Sequence, residues 1–343
     1  MNLKGGAIKV KKKAIFLNAK PENMNRVYSE EAVKELRGMV DLHEVCISKC
    51  EIISNREVLS NAELAFSTWG MPDFTENEIM EYMPNLKVVF YGAGSVQRFA
   101  RPFLNCGVNV VSAWVANAVP VAEYAASQIV LANKGFYINT ILCKKNRTEA
   151  RKLFSKFPGN YSVKVGIIGA GMIGRMVINL LKQYNVDIMV FDPFLADDKA
   201  SELGVTKHSL TEIFATCQTI SNHLANNPQT VGIMNEEHFN LMLDNATFIN
   251  TGRGAQVVEE DLIEALKAVP TRTAVLDVTY PEPVREDSEF LKMDNVFLTS
   301  HIAGSSGNEV HRMAWYMIDE FKRYEKGEEL LYNVTPKMLE TMA

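Results

Sequence analysis

Along this chain, short apolar runs alternate with stretches in which apolar residues recur every three or four positions. The first pattern predicts buried strands and the second amphipathic helices. The early runs are Ala14 to Asn18, Val45 to Ile47, Ala62 to Ser67, Leu86 to Gly92 and Val108 to Ala113. Ser29 stands before Glu30, Glu31 and a periodic stretch, and Thr75 opens TENEIMEYM, so both mark helix starts. Later runs are Val163 to Ile168, Val186 to Phe191, QTISNHL leading to His223, Asn245 to Asn250, Arg272 to Val278 and Asn295 to Ser300, with VEEDLIEALKAV as an amphipathic helix. Strands alternating with helices predict an α/β fold with parallel sheets and right-handed crossovers.

Between the two sets lies ANAVPVAEYAASQIVLANKGFYINTIL. Asn117 is placed to cap a helix there, with Pro120 in its first turn, where a missing N–H costs little. A helix this apolar is buried either against a second subunit or inside its own domain. KKNRTEARKLFSKFPGN then reads as a charged, solvated connector. No apolar run approaches the ~18 residues of a membrane helix. There is no internal repeat or low-complexity stretch.

The segment from Val163 to Asp192 carries the most specific chemistry. Gly169, Gly171 and Gly174 follow the first strand in G-x-G-x-x-G spacing, and Ile173, Val177, Leu180 and Leu181 continue as a helix face. In a dinucleotide-binding βαβ unit the first glycine makes the tight turn. The second lets pyrophosphate approach the backbone, and the third lets helix and strand pack closely. The helix N-terminus, with the N–H groups of Met172 and Ile173, offers donors and a positive dipole end. Asp192 follows at about the expected distance of ~20 residues, where a carboxylate binds ribose hydroxyls and repels a 2′-phosphate. This favours NAD over NADP; the alternative is a glycine-rich turn without a ligand.

Net charge is −5 over 343 residues, which gives no sign of a nucleic-acid or anionic-membrane partner. The length allows two domains. The N-terminal lysines Lys4, Lys9 and Lys11 to Lys13 precede too short an apolar run for a signal sequence. Cys46, Cys50, Cys106, Cys143 and Cys217 are odd in number and scattered, which points to a reducing cytoplasm and to no metal site.

Four chemical residues stand at or just beyond the ends of strands in the second set: Arg253, Asp277, Glu282 and His301. Ligands of open α/β sheets bind outside the carboxyl ends of the strands. An imidazole such as His301 can give and take a proton near neutral pH, with Glu282 to orient it. Arg253 supplies a planar cation suited to a carboxylate and an adjacent carbonyl. This set suits hydride transfer to a 2-oxo acid; the alternative is an Arg–Glu ion pair beside a buried histidine.

These residues resemble the D-isomer-specific 2-hydroxyacid dehydrogenases, a family that includes phosphoglycerate dehydrogenases and glyoxylate/hydroxypyruvate reductases. The matching segments are NAVPVAEY, VGIIGAGMIGR, VFDP, NTGRGAQVVEEDLIEAL, LDVTYPEP and LTSHIAG. The resemblance implies two Rossmann-like domains, each a mostly parallel sheet flanked by helices, with the active site in the cleft between them. A flavodoxin-like substrate domain would take residues 1–112 plus 307–343, and the NAD-binding domain residues 113–306.

The resemblance also implies roles. Arg253 would bind the substrate carboxylate and carbonyl, His301 would be the acid/base and Glu282 its partner. Asp277, with the Thr251, Gly252 and Arg253 turn, would contact the nicotinamide carboxamide. His223 would lie on the cofactor side, and Ala303 and Gly304 beside the nicotinamide. The backbone N–H groups of Gly92, Ala93, Gly94 and Ser95 would face the substrate carboxylate. A homodimer through the NAD-binding domain would be usual. HLANNPQT and SAWVANA depart from the family's HLPLT and N-x-P-G patterns, which places Trp114 near the interdomain cleft; Trp69 in STWGMP is a second aromatic on a cleft loop, and both stand either at a hinge or at the substrate. The expected activity is an NAD-dependent D-2-hydroxyacid dehydrogenase. The alternatives are an NAD(H)-sensing, corepressor-like protein on the same fold, and a formate dehydrogenase, against which Glu282 argues.

Overall fold

The computed structural model describes residues 10–340, so Lys4 and Lys9 lie outside the described residues. The chain forms two compact units. One runs to Asn117 and resumes at Ser306, and the other spans Ala118–Ser305.

The first unit holds β1 (Lys13–Leu17), β2 (Asp41–Ile47), β3 (Leu64–Ser67), β4 (Val88–Tyr91) and β5 (Asn109–Ser112). They form one sheet in the order β2-β1-β3-β4-β5. Every pairing in it is parallel. Residues in β3 and β4 are buried on both faces, as helices on either side of a parallel sheet require. The helix Val310–Lys326 buries Met313, Met317, Ile318 and Phe321 in this unit's core. Phe321 sets its edge against the stacked pair Phe66 and Phe90. Removing each such side chain from water contributes about 1.5–3 kcal/mol. The tail beyond that helix then bonds to β5, with Val334 N–H donating to Val110 O at 2.7 Å.

The second unit adds β6 (Tyr161–Ile168), β7 (Asn185–Phe191), β8 (Thr206–Lys207), β9 (Thr219–Asn222), β10 (Thr247–Asn250), β11 (Thr273–Leu276) and β12 (Val296–Leu298). Their order is β12-β11-β10-β9-β6-β7-β8. All pairings are again parallel. Strand order reverses between β6 and β9, and a doubly wound sheet opens its ligand crevice at such a switch point.

Three expectations from sequence are corrected. The long helix begins at Trp114, not at a cap on Asn117, and Pro120 lies inside it. Asn117 N–H already donates to Ala113 O at 3.1 Å, a helical bond. Buried small residues, Ala116, Ala118 and Ala122, favour packing this stretch as helix despite the proline. The supposed connector contains the helix Arg147–Phe154, which the Asn146 side chain caps and which buries Ala150 and Leu153. Finally, Trp114–Asn133 is long and apolar enough for a membrane span by length and composition, with half of it buried in the protein. Its Ala125, Ile129 and Ala132 lie in the core of the second unit, as in the central helix of a globular domain.

Candidate active site

The glycine turn sits at the carboxyl end of β6. Gly169 has φ +95°, a conformation that suits glycine. A Cβ at Gly174 would lie 1.9 Å from Gly169 O, so the close helix–strand approach excludes any side chain. A Cβ at Gly171 would meet nothing within 4 Å, which leaves open space at the N-terminus of the helix Met172–Leu181. Asp192, at the end of β7, accepts Ala170 N–H at 2.7 Å and Phe194 N–H at 2.8 Å. A carboxylate has about four acceptor sites, so two remain for ribose hydroxyls. Arg175 Nε braces the turn by donating to Ala170 O at 2.8 Å. These residues fit a dinucleotide: open space, free helix donors and an acid stand together.

Across the switch point, β9 brings His223 against this turn. A Cβ at Gly169 would meet His223 O and Leu224 N at 2.8 Å. His223 is buried, with Nε2 2.9 Å from Ser221 Oγ and Nδ1 3.3 Å from Thr251 Oγ1. Burial pushes the imidazole down to about 3. The folded protein therefore keeps it neutral, while the unfolded chain takes up a proton below about pH 6.5. Its share of stability is fully present above about pH 6.5 and is lost as pH falls toward 3, by up to about 1.4 kcal/mol per pH unit. His223→Gln should flatten that decline. Its Tm in calorimetry is expected to drop less than the parent's between neutral and mildly acidic pH, and parallel curves would refute this.

Arg253, Asp277 and His301 follow three neighbouring strands. The register pairs Asn250 with Leu276 and Leu276 with Leu298, so all three residues lie beyond one sheet edge. His301 Nδ1 lies 2.7 Å from Glu282 Oε1, and the two side chains are 46% and 41% exposed, open to a ligand. His301 has φ +61°, which costs a residue with a Cβ roughly 1–2 kcal/mol.

Asp277 holds that conformation. Its buried carboxylate accepts Thr299 Oγ1–H at 2.6 Å, Ile302 N–H at 2.7 Å and Ala303 N–H at 2.9 Å. Three chain donors thus occupy most of Asp277, and the Ala303 N–H is committed to it; Gly304 follows in the same loop. Arg253 is half-buried, with Nη1 donating to Gly252 O at 2.8 Å. A Cβ at Gly254 would sit 2.0 Å from the Thr279 carbonyl carbon, so this turn packs directly on the loop that leads to Glu282.

In the first unit the loop after β4 corrects one expectation. Gly92 N–H donates to Ser67 O at 2.8 Å and Ala93 N–H to Tyr91 O at 2.9 Å. Both are satisfied internally and both residues are buried, so neither faces a ligand; Gly94 and Ser95 are more exposed. Trp69 packs under Arg26, 5.6 Å from the guanidinium, and Trp114 meets Tyr332 edge-on. Arg175, Asn222, Asn250, Gln256 and Thr299 stand inside the apolar runs and motifs of the sequence, where nothing assigns them a role. For Asn222, Asn250 and Thr299 the available signal was an amide or hydroxyl at the end of an otherwise apolar strand, whereas Arg175 in a helix and Gln256 in a short 3-10 turn carried none.

Residues 133–303 match the family model described as the NAD-binding domain of D-isomer-specific 2-hydroxyacid dehydrogenases. D-3-phosphoglycerate dehydrogenase of Archaeoglobus fulgidus is 27% identical over 252 residues, 73% of this chain and 47% of that protein. Its counterpart from Methanocaldococcus jannaschii is 31% identical over 224 residues, 65% of this chain and 42% of that protein. The chain thus spans about half the length of these curated relatives. A phosphoglycerate oxidoreductase from Rhizobium etli has the same fold, with TM-score 0.79 and 19% identity over 94% of this chain and 99% of that one. With the glycine turn, Asp192 and the matched domain together, this chain belongs to the D-isomer-specific 2-hydroxyacid dehydrogenase family, whose cofactor is NAD.

Proposed function

We propose that this protein interconverts a D-2-hydroxy acid and a 2-oxo acid. The observation that carries this reading is the His301–Glu282 contact of 2.7 Å at the sheet edge of an NAD-binding domain. NAD, when bound, carries the hydride. Held by Met172, Ile173 and Gly171 at the helix N-terminus and by Asp192, it would lie along the switch point beside His223, Thr251 and Gly252. His301 would give a proton to the carbonyl oxygen on reduction and take it back on oxidation, a role worth ~10²–10⁴ in rate. Glu282 would orient the ring and stabilise its charge. Arg253 would bind the substrate carboxylate, whose planar oxygens match its fork of donors. Asp277 would hold the His301 loop, with one acceptor site left for the nicotinamide carboxamide. In the first unit, Gly94 and Ser95 are the loop residues we assign to the substrate.

Leu131 and Phe136, exposed at the end of one apolar helix and the start of the next, support a homodimer through the NAD-binding domain. The five free cysteines support a cytoplasmic location. The test is NADH oxidation across a panel of 2-oxo acids, from glyoxylate, hydroxypyruvate and pyruvate to branched and aromatic ones. Turnover on at least one is expected. Tight NADH binding with no turnover on any of them would favour a sensing role.

A further inference from the structure

Behind the Thr251–Arg253 turn lies a cluster of three amides that the proposed chemistry does not use. Asn222, Asn250 and Gln256 are 0%, 1% and 0% exposed. Gln256 fills all four of its hydrogen-bonding positions. Its Oε1 accepts from Asn222 Nδ2 at 2.7 Å and from Arg253 N–H at 3.2 Å. Its Nε2 donates to Leu224 O and Ala225 O, both at 3.0 Å. Asn222 also donates to Asn250 Oδ1 at 2.9 Å and accepts Leu224 N–H at 3.2 Å. Asn250 in turn accepts Gly252 N–H at 3.0 Å and donates to Arg253 O at 3.2 Å.

The backbone of Arg253 is thus gripped at its N–H by Gln256 and at its C=O by Asn250, side chains three residues to either side that Asn222 ties together. A Cβ at Gly252 would sit 2.7 Å from Asn222 Nδ2 and 2.8 Å from Gln256 Oε1, so the amides pack directly under the turn. We propose that Asn222 and Gln256 are positioning residues for Arg253, acting with Asn250 as a clamp that ties its turn to the His223–Ala225 loop. This rests on the reading of Arg253 as the substrate-carboxylate residue. A guanidinium on a free turn would sample many orientations. Here the clamp removes that freedom before substrate arrives, and such preorganisation is read in substrate affinity. Each amide is satisfied only by the others and by the two loops, so loss of one member releases the rest.

Gln256→Met keeps the volume and removes all four hydrogen bonds. With NADH saturating, KM for the best 2-oxo acid should rise roughly tenfold or more, while kcat changes by less than about threefold. Hydrogen exchange followed by mass spectrometry should show the peptide containing Gly252 and Arg253 exchanging faster than in the parent. Asn222→Leu should shift both readouts in the same direction by less, and it serves if Gln256→Met does not fold. A lowered Tm with unchanged KM and unchanged exchange would mean the amides only fill the core, and the proposal would fall. If the parent turns over no 2-oxo acid, the catalytic reading fails, whereas the exchange comparison still decides whether the clamp holds the turn.

Discussion

His301→Ala is expected to lower kcat by about 10²–10⁴ while leaving NADH affinity unchanged. The imidazole, the proposed proton carrier, is half-exposed at the sheet edge, and among the described residues its side-chain partner is Glu282. Its ring holds no part of the glycine turn. Its loop is fixed by Asp277 through Thr299, Ile302 and Ala303, not by the ring itself. Alanine bears the φ of +61° at a cost like that of histidine, so the loop should persist. Single-turnover kinetics with NADH fluorescence titration separates the two quantities. Equal losses of turnover and NADH affinity would show that the ring supports the cofactor site instead of giving a proton.

Gly174→Ala should abolish NADH binding and destabilise the fold by about 1–3 kcal/mol or more. The added Cβ would stand 1.9 Å from Gly169 O and 3.0 Å from Gly169 C. Both obstacles are backbone, so no rotamer change relieves them and the helix must leave the strand end. Gly171→Ala is the matched control. Its Cβ meets nothing within 4 Å and its φ of −70° suits any residue, so thermal stability should hold. NADH binding should still weaken there, because the methyl would stand where the proposed site brings the pyrophosphate. An unchanged Tm in Gly174→Ala would refute the packing account. Unchanged NADH affinity in Gly171→Ala would move the phosphates elsewhere.

What could be read in the sequence was what short stretches decide among themselves. Ser29 and Thr75 cap their helices through N–H groups only three residues on, Ala32 and Glu78. The apolar runs become strands because a buried parallel strand needs side chains apolar on both faces. The glycine spacing and Asp192 lie within one βαβ unit, so local order already carries the turn and its acid.

Folding alone decided the contacts between distant positions. Asn222 meets Gln256, and Asp277 gathers Thr299, Ile302 and Ala303, only because β9, β10, β11 and β12 lie side by side. The proline inside Trp114–Asn133 and the helix at Arg147–Phe154 run against local cues, because burial of Ala116, Ala125, Ile129 and Leu153 outweighs a missing donor and a charged surface. Gly92 and Ala93 likewise give their N–H groups to β3 and β4 backbone, a use no single-strand pattern announces. Local sequence sets backbone preference and polarity. Which donor finds which acceptor across tens of residues is set by strand order and packing, and that is where the clamp behind Arg253 and the grip of Asp277 on the His301 loop arise.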